Sequence, residues 1–347
     1  MRNAMSSRRI VVIVMCVVAG IALASVGVVS VIGANTHDSY YLEFERDDST
    51  VYLFPTIHFL PLEYSFDDVI AEPVFSALED SDVLFLESDP ADMPHQSRFD
   101  ELRWSDSSEE RRSVAHYFED LPVADEDADE IWAEIFGVLQ ADSAERRDEI
   151  REMRPHALWR LLSDTVSLPV QSPWDRGIDN QLRRFAIEQM IPTAGLESWT
   201  LPLELRDGVD QEPFVLSMAC TILAGVDRER AVEALEESLN EIYTMWRRGI
   251  GTLLDEELAL PDPEEFEGEF PEEVEEICAD PDTEAAKERS DAIMLTREQK
   301  WVGVIDDYVR ENNDETIFIA VGLGHLHEDF DGKLPELLKD AGFERVR

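Results

Sequence analysis

Two short apolar segments with strand-like patterning follow residue 39. Residues 40–44 and 51–54 are rich in aromatic and aliphatic side chains, and the polar Asp47-Asp48-Ser49 segment separates them. Apolar runs on either side of a short polar turn are typical of a β-hairpin. The pattern therefore predicts two antiparallel strands at the start of the folded region.

A helical pattern and a further apolar run come next. Residues 66–78 carry apolar side chains at helical spacing, with Ser65 as the predicted N-cap. Residues 82–86 contain the continuous apolar run Val83-Leu84-Phe85-Leu86, as expected for a buried strand. Strand, helix and strand in this order predict a βαβ unit and hence a parallel part of the sheet.

The rest of the chain is mostly helical in its periodicity, with a few strands. A helical insertion is predicted over about residues 113–282, and its last part, 260–282, is an acidic Pro- and Glu-rich loop. The predicted helices are 129–139, 155–162, 175–189, 213–223, 228–246, 283–311 and 334–341, and the predicted strands are 192–196, 316–321 and 343–346. These elements predict an α/β fold with a central mixed β-sheet, flanking helices and a mostly helical middle insertion.

The N-terminus contains an uncharged apolar segment at residues 10–33. These 24 residues exceed the roughly 20 that a helix needs to cross a bilayer, and Arg8 and Arg9 precede them. We expect a cytoplasmic n-region at 1–9, a transmembrane helix at 10–33 and an extracytoplasmic domain at 34–347. This predicts a single-pass protein of the cell membrane. The alternative is a signal peptide cleaved after Ala22-Leu23-Ala24.

Charge and cysteine content narrow the choice of partner and compartment. The chain has 30 Lys+Arg against 77 Asp+Glu, for a net charge of −47, and only four of its cations are lysines. Such a surface argues against nucleic acid as a partner and is typical of proteins from salt-loving organisms, because salt screens its self-repulsion. The alternative is an ordinary acidic protein. Cys220 and Cys278 either pair in an oxidising compartment or are two separate buried thiols.

Residues suited to metal chemistry follow the predicted strands. His58 follows the strand at 51–54, Glu87 the strand at 82–86, Glu197 the strand at 192–196, and His325 the strand at 316–321. The carboxyl ends of parallel strands meet at one edge of a sheet. Imidazole and carboxylate groups there would suit zinc, manganese or cobalt, and a spare carboxylate could act as a general base.

The same segments resemble motifs of the TraB/GumN family, which includes the TIKI membrane metalloproteases. Residues 51–58 resemble its first Gly-x-x-His motif, and Ala320-Val321-Gly322-Leu323-Gly324-His325 resembles its second. Residues 82–87 resemble the strand that ends in the family glutamate, and Gly177-Ile178-Asp179 with Gly195-Leu196-Glu197 resembles the middle segment. Arg297 stands where the family carries an arginine. The resemblance extends over about residues 40–346.

One position departs from the family pattern. Pro55 stands where the first motif usually has glycine. Glycine suits a tight turn with positive φ, whereas proline fixes φ near −65° and lacks an N–H. We expect either that this position does not need positive φ or that the site has diverged from the family pattern.

The resemblance implies a metal-dependent hydrolase that acts on a peptide or protein substrate. In this interpretation His58 and His325 are metal ligands, and Glu87 is a ligand or the general base. Arg297 stabilises an oxyanion or holds a substrate carboxylate, and Glu197 ligates the metal or supports the site. The alternatives are a non-catalytic protein that binds a peptide in the same cleft and a factor in polysaccharide handling.

Overall fold

The computed structural model describes most of the predicted domain after residue 40. The described residues are 41–57, 66, 70–89, 91, 101–104, 112–120, 125–167, 177–209, 211–212, 214–215, 218–219, 283–326 and 332–346. The predicted transmembrane segment, both cysteines of the domain, His58, the predicted helix at 228–246 and most of that at 213–223 lie outside them. Within the described ranges, no helix combines the length and apolarity that a bilayer span requires.

Six strands form one mixed β-sheet. They are β1 (Leu42–Arg46), β2 (Ser49–Thr56), β3 (Val83–Leu86), β4 (Thr193–Gly195), β5 (Thr316–Gly322) and β6 (Glu344–Arg345). Their spatial order is β4-β3-β5-β2-β1-β6. Strands β4, β3, β5 and β2 are parallel neighbours, whereas β1 is antiparallel to both β2 and β6. The predicted hairpin and mixed sheet are therefore confirmed.

Strand β5 separates the two strands of the predicted βαβ unit. Strands β2 and β3 each pair with β5 in parallel and do not pair with each other. The C-terminal strand thus lies in the middle of the sheet, where both faces are covered. This position explains its almost continuous apolar sequence, Thr316–Gly322, because a central parallel strand is buried on both sides.

Helices cover both faces of the sheet. Helices α1 (Glu72–Glu79) and α6 (Ile178–Glu188) contribute to an apolar cluster on one face, together with Leu84 and Phe318. Helices α8 (Thr283–Glu311) and α9 (Leu334–Asp340) contribute to a second cluster with Phe85 and Ile319. Neighbouring residues of one strand thus enter different clusters, because side chains alternate between the faces of a sheet.

The helical middle part has its own apolar cluster. It contains α2 (Val114–Asp120), α3 (Asp125–Val138), α4 (Ala144–Arg151) and α5 (Pro155–Ser167), and α7 (Leu201–Asp207) follows β4. The cluster includes Phe118, Ile131, Ile135 and Leu158, all of them buried. This part of the chain is therefore stabilised by packing among its own helices as well as by its connections to the sheet.

The predicted and observed helices differ mainly at their ends. The helix predicted at 66–78 is described as α1, which begins at Glu72 with Pro73 in its first turn, because proline at this position needs no hydrogen bond from its nitrogen. Helices α2, α4 and α7 were not predicted. Helix α4 is mostly charged and begins at the cap formed by Ser143, whose hydroxyl accepts a hydrogen bond from the Arg146 N–H at 3.1 Å.

Candidate active site

The ends of three parallel strands bring predicted site residues together. Leu86 pairs with Gly195 on one side and with Ala320 on the other, so the strands end at nearly the same level. The N–H of Glu197 donates to the carbonyl of Glu87 at 2.9 Å, which places the two glutamates side by side. His325 lies in the 3₁₀ turn Leu323–His325 directly after β5.

Arg297, on α8, connects these strand ends. Its Nη2 donates to Glu87 Oε2 at 2.7 Å and to Glu197 Oε1 at 2.7 Å. Its Nε contacts both carboxylate oxygens of Glu197, at 3.0 and 3.1 Å. Burial disfavours the charged guanidinium, but the charges of Glu87 and Glu197 and their hydrogen bonds outweigh it and raise the pKa of Arg297 above its ordinary value. Arg297 therefore stays cationic at any ordinary pH.

Glu197 is enclosed by donors. Besides Arg297, the indole Nε1 of Trp301 donates to Glu197 Oε2 at 2.8 Å. Only 1% of the Glu197 side chain is exposed. Because Glu197 is closed off from solvent and held by three hydrogen-bonding groups, its surroundings favour a supporting role over metal ligation.

A buried glutamate that the sequence analysis missed holds His325. Glu298 Oε1 lies 2.9 Å from His325 Nδ1, and Glu298 Oε2 accepts from the Lys333 N–H at 2.9 Å. An ionised carboxylate only accepts hydrogen bonds, so Nδ1 donates to Glu298, and in the neutral form of the ring Nε2 then carries the lone pair. No local sequence signal marks Glu298, because adjacent charged residues occur at several places along this helix.

The free nitrogen of His325 faces Glu87. Nε2 lies 3.9 Å from Glu87 Oε1 and 3.4 Å from Arg297 Nη1. Glu87 Oε1 also accepts the Gly322 N–H at 2.7 Å, which fixes the carboxylate against the end of β5. The imidazole packs on Trp301, with ring centroids 4.3 Å apart. His325 and Glu87 are thus oriented from several sides.

Comparison with known proteins identifies the family. A model of the TraB/PrgY/gumN family matches residues 41–347. The chain belongs to this family. Searches of curated proteins and of solved structures give no match.

The departure at Pro55 has a structural explanation in this TraB/PrgY/gumN protein. Pro55 lies inside β2 and pairs with Val321, so its backbone is extended and needs no positive φ. The pairing of β2 with β1 reaches only Leu53, and proline is tolerated in a strand where no ladder bond is required of its nitrogen. A tight glycine turn at residue 55 is therefore not part of this fold.

The donor set fits a divalent cation in part. Among the residues that the structure describes, no group of three or more His, Cys, Asp or Glu side chains is arranged around a common centre. Two donors are present, and the 3.9 Å between His325 Nε2 and Glu87 Oε1 is within the roughly 4.2 Å that two bonds of about 2.1 Å can span. The second predicted histidine ligand, His58, lies outside the described residues, one position after the end of the described segment at Ile57.

Proposed function

We propose that this TraB/PrgY/gumN family protein is a metal-dependent hydrolase and that its substrate is a peptide or protein. The observation that carries the proposal is the contact of His325 Nδ1 with the buried carboxylate of Glu298. Histidines that bind metals commonly donate their second ring N–H to a carboxylate, which fixes the ring and makes the free nitrogen more basic. A histidine that only stabilised the fold would not need its free nitrogen directed at a second carboxylate.

The charge of the cluster also suits a cation. In their ionised forms, Glu87, Glu197 and Glu298 contribute three negative charges, and Arg297 contributes one positive charge. Two negative charges are left over in a region of low solvent exposure. Because an isolated buried charge is costly, a bound divalent ion would offset this excess.

His325 Nε2 and His58 would hold the metal, which we expect to be manganese, cobalt or zinc, and Glu87 would be either a further ligand or the general base. When bound, such an ion acidifies water or polarises a carbonyl group. Glu197 supports the site by holding Arg297, and Glu298 supports it by holding His325. This division follows from burial, since the side chains of Glu197 and Glu298 are closed off from solvent whereas that of Glu87 is partly exposed.

Solvent exposure favours Glu87 as the group that meets water and substrate. The exposed fraction of its side chain is 19%, compared with 13% for Arg297, 6% for His325, 1% for Glu197 and 0% for Glu298. Glu87 thus lies closest to the mouth of the cluster. As general base it would take a proton from the attacking water, and it would later return that proton to the leaving amine.

Arg297 is suited to stabilising the oxyanion that forms when water adds to the carbonyl carbon. Its Nε and Nη2 are committed to the glutamates, whereas its Nη1 makes only the long 3.4 Å contact with His325 within the described part of the chain. An N–H group of Nη1 is therefore available to an oxygen of the reacting group. A fixed donor of this kind stabilises charge that develops in the transition state.

A non-catalytic peptide-binding protein is the second candidate. The observation that favours it is that Arg297 contacts both Glu87 and Glu197, so a cation already occupies part of the space beside His325. In this alternative the cluster is a closed ion-pair network beside a peptide cleft. It predicts peptide binding without turnover.

The proposal also includes attachment of the protein to the membrane and adaptation of its surface to high salt. We place the domain outside the cytoplasm, attached through residues 10–33, because of the apolar run and the arginines before it. Adaptation to high salt follows from the net charge of −47.

Turnover by the purified full chain tests the function. Internally quenched random peptides would be incubated in 2 M salt with Mn²⁺, Co²⁺ or Zn²⁺, using wild type, Glu87→Gln and Glu298→Gln. The matched control is Glu336→Gln, an exposed residue of α9. If Glu87 is the base, Glu87→Gln lowers the rate by about 10²–10⁴-fold. Glu298→Gln should weaken metal affinity by about 10–100-fold. Peptide binding without cleavage under any of the three metals would favour the second candidate.

A further inference from the structure

Among the described strands, β4 lies at one edge of the sheet and pairs with β3 alone. The Pro192 carbonyl and the Leu196 N–H bond to β3, at 2.9 and 2.8 Å. Because successive residues of a strand direct their backbone groups to opposite sides, those of Thr193 and Gly195 point away from β3. Within the described part of the chain, these two N–H and two C=O groups make no hydrogen bond, and both residues are partly exposed.

The two edges of the sheet differ in charge. The opposite edge, β6, carries the exposed charged residues Glu344 and Arg345, and charged side chains on an edge strand hinder pairing with a further strand. Residues 190–196 are uncharged, although 31% of the chain is charged. Ile187 and Met190, just before β4, are 51% and 88% exposed. The β4 edge therefore offers unpaired backbone groups next to exposed apolar side chains.

The β4 edge also ends at the candidate active site. Strand β4 ends at Gly195, two residues before Glu197, whose N–H donates to the Glu87 carbonyl at 2.9 Å. An extended chain that paired with β4 would thus leave the edge beside these two glutamates. A second copy of the protein fits this edge poorly, because each copy carries a net charge of −47, whereas a neutral peptide is not repelled.

We propose that the β4 edge binds the substrate as an extended peptide strand, which pairs with the backbone of Thr193 and Gly195 and continues to the candidate site. Ile187 and Met190 would contact an apolar side chain of this peptide. In such strand addition, main-chain hydrogen bonds provide affinity for many different sequences. The inference rests on the proposed hydrolase for its meaning as a substrate site, whereas the pairing itself does not depend on turnover.

Hydrogen exchange of the full chain, measured by mass spectrometry with residue resolution, tests the edge. The buffer would contain 2 M salt and EDTA, so that peptide binding is observed without metal-dependent cleavage. The probes are neutral acetylated hexapeptide amides, randomised over Ala, Ser, Thr and Val. They are prepared unmethylated, N-methylated at every second residue, and N-methylated throughout. In the free protein, the amides of Thr193 and Gly195 should exchange faster than that of Leu196, which bonds to β3.

Unmethylated peptides should slow exchange at Thr193 and Gly195 about tenfold when their concentration is about tenfold above the dissociation constant. Peptides methylated at every second residue keep all N–H groups along one side and should also protect these amides. Fully methylated peptides have no N–H donor and should not protect them. The half-methylated peptides thus control for the conformational effect of methylation.

A double variant tests the apolar contact. Ile187→Gln/Met190→Asn should weaken peptide binding by about fivefold or more, because apolar surface is lost. Asparagine suits residue 190, whose φ is 61°. The matched control is Val346→Gln, at an exposed apolar residue beside β6, and it should bind peptides as wild type does.

Four results would overturn the peptide-binding edge. They are slow exchange of Thr193 and Gly195 in the free protein, no protection by unmethylated peptides, equal protection by fully methylated peptides, and unchanged binding by the double variant. Protection that grew with protein concentration in the absence of peptide would assign the edge to a second copy and would also overturn it. Protection without peptide cleavage after Mn²⁺, Co²⁺ or Zn²⁺ is added would contradict the proposed hydrolase and leave the edge standing. Cleavage without protection would do the reverse.

Discussion

The guanidinium of Arg297 contacts both carboxylate oxygens of Glu197, with Nη2 2.7 Å from Oε1 and Nε 3.1 Å from Oε2. Glu197 lies two residues after the end of β4 at Gly195, and Arg297 comes from a helix one hundred residues later. The pair therefore ties α8 to the edge of the sheet. It also brings Arg297 to Glu87 and His325, on which the proposed chemistry depends.

Removal of Arg297 should destabilise the fold strongly. Arg297→Met leaves Glu197 buried without its cation, and breaking a buried ion pair in this way costs about 3–5 kcal/mol. Arg310→Met, at an exposed ion pair on the same helix, should cost less than about 1 kcal/mol. Urea unfolding curves measure both.

A double-mutant cycle on Arg297 and Glu197 distinguishes the contribution of charge to stability from that of packing. Adding Glu197→Gln to Arg297→Met should recover part of the lost stability, because the remaining group is then neutral. If the losses of unfolding free energy from the two substitutions are simply additive, Arg297 does not stabilise the fold through this ion pair.

The strand and helix patterns of the sheet region could be predicted from sequence because they are local. The hairpin, the buried run at 316–321 and the long helix Thr283–Glu311 all depend on side chains close together in the chain. The place of β5 between β2 and β3 could not be predicted, since it depends on pairing between strands far apart in sequence. Helices α2, α4 and α7 are short, and packing rather than apolar periodicity determines them.

His156 should make stability depend on pH in the acid range. Burial lowers the pKa of His156 to about 4 from the ordinary 6.5, while its Nδ1 lies 3.2 Å from Gln211 Oε1. Between these two pH values the unfolded chain binds a proton that the folded chain does not. Stability is therefore lost as the pH falls from 6.5 to about 4, by about 3 kcal/mol in all.

The variant His156→Gln tests this contribution without interference from the many carboxylates. The difference in unfolding free energy between wild type and His156→Gln should shift by about 3 kcal/mol, to the disadvantage of wild type, between pH 7 and pH 4. His116→Gln, at a half-buried histidine of α2, serves as the control for loss of an imidazole elsewhere in the chain. A pH-independent difference for His156→Gln would contradict the prediction.

Substitution by alanine should have opposite effects on stability at Gly332 and at Gly303. A Cβ at residue 332 would lie 2.3 Å from the Gly324 carbonyl oxygen and 2.5 Å from the carbonyl carbon of His325. Gly332→Ala should therefore displace the backbone of His325 and lower both stability and metal affinity. Gly303, inside α8, has no atom within 4 Å of such a Cβ, so Gly303→Ala should stabilise the helix by about 0.5–1 kcal/mol. Thermal melts in one buffer compare them, and equal effects would be incompatible with the close approach at residue 332.

Salt should stabilise the fold. At 0.1 M salt the Debye length is about 10 Å and at 1 M about 3 Å, so repulsion within a chain of net charge −47 is screened only at the higher concentration. We expect the melting temperature to rise by at least about 5 °C over this range, corresponding to a gain of a few kcal/mol. A series of thermal melts in NaCl and KCl measures it. A flat or falling melting temperature would rule out adaptation to salt.

The candidate site could be predicted only in part, because it too depends on contacts between residues far apart in the sequence. Glu87, Glu197 and His325 follow strands, and a strand end is visible in the sequence. Glu298 and Trp301 lie within a long helix that carries many charged residues, and the sequence does not show which side chains turn inward. Arg297 was selected only because of the family resemblance. The burial of these side chains depends on how α8 docks on the sheet.

The bound metal per chain is the most direct test of the proposed site. The full chain would be equilibrated with Mn²⁺, Co²⁺ or Zn²⁺, freed of excess ion and analysed by mass spectrometry of the metal, alongside His325→Ala and the control His116→Ala. We predict about one ion per chain for wild type and for His116→Ala with at least one of the three metals, and a large loss for His325→Ala, because a catalytic site uses about three protein ligands. Absence of stoichiometric metal from wild type, or equal metal in His325→Ala, would contradict the metal-dependent hydrolase.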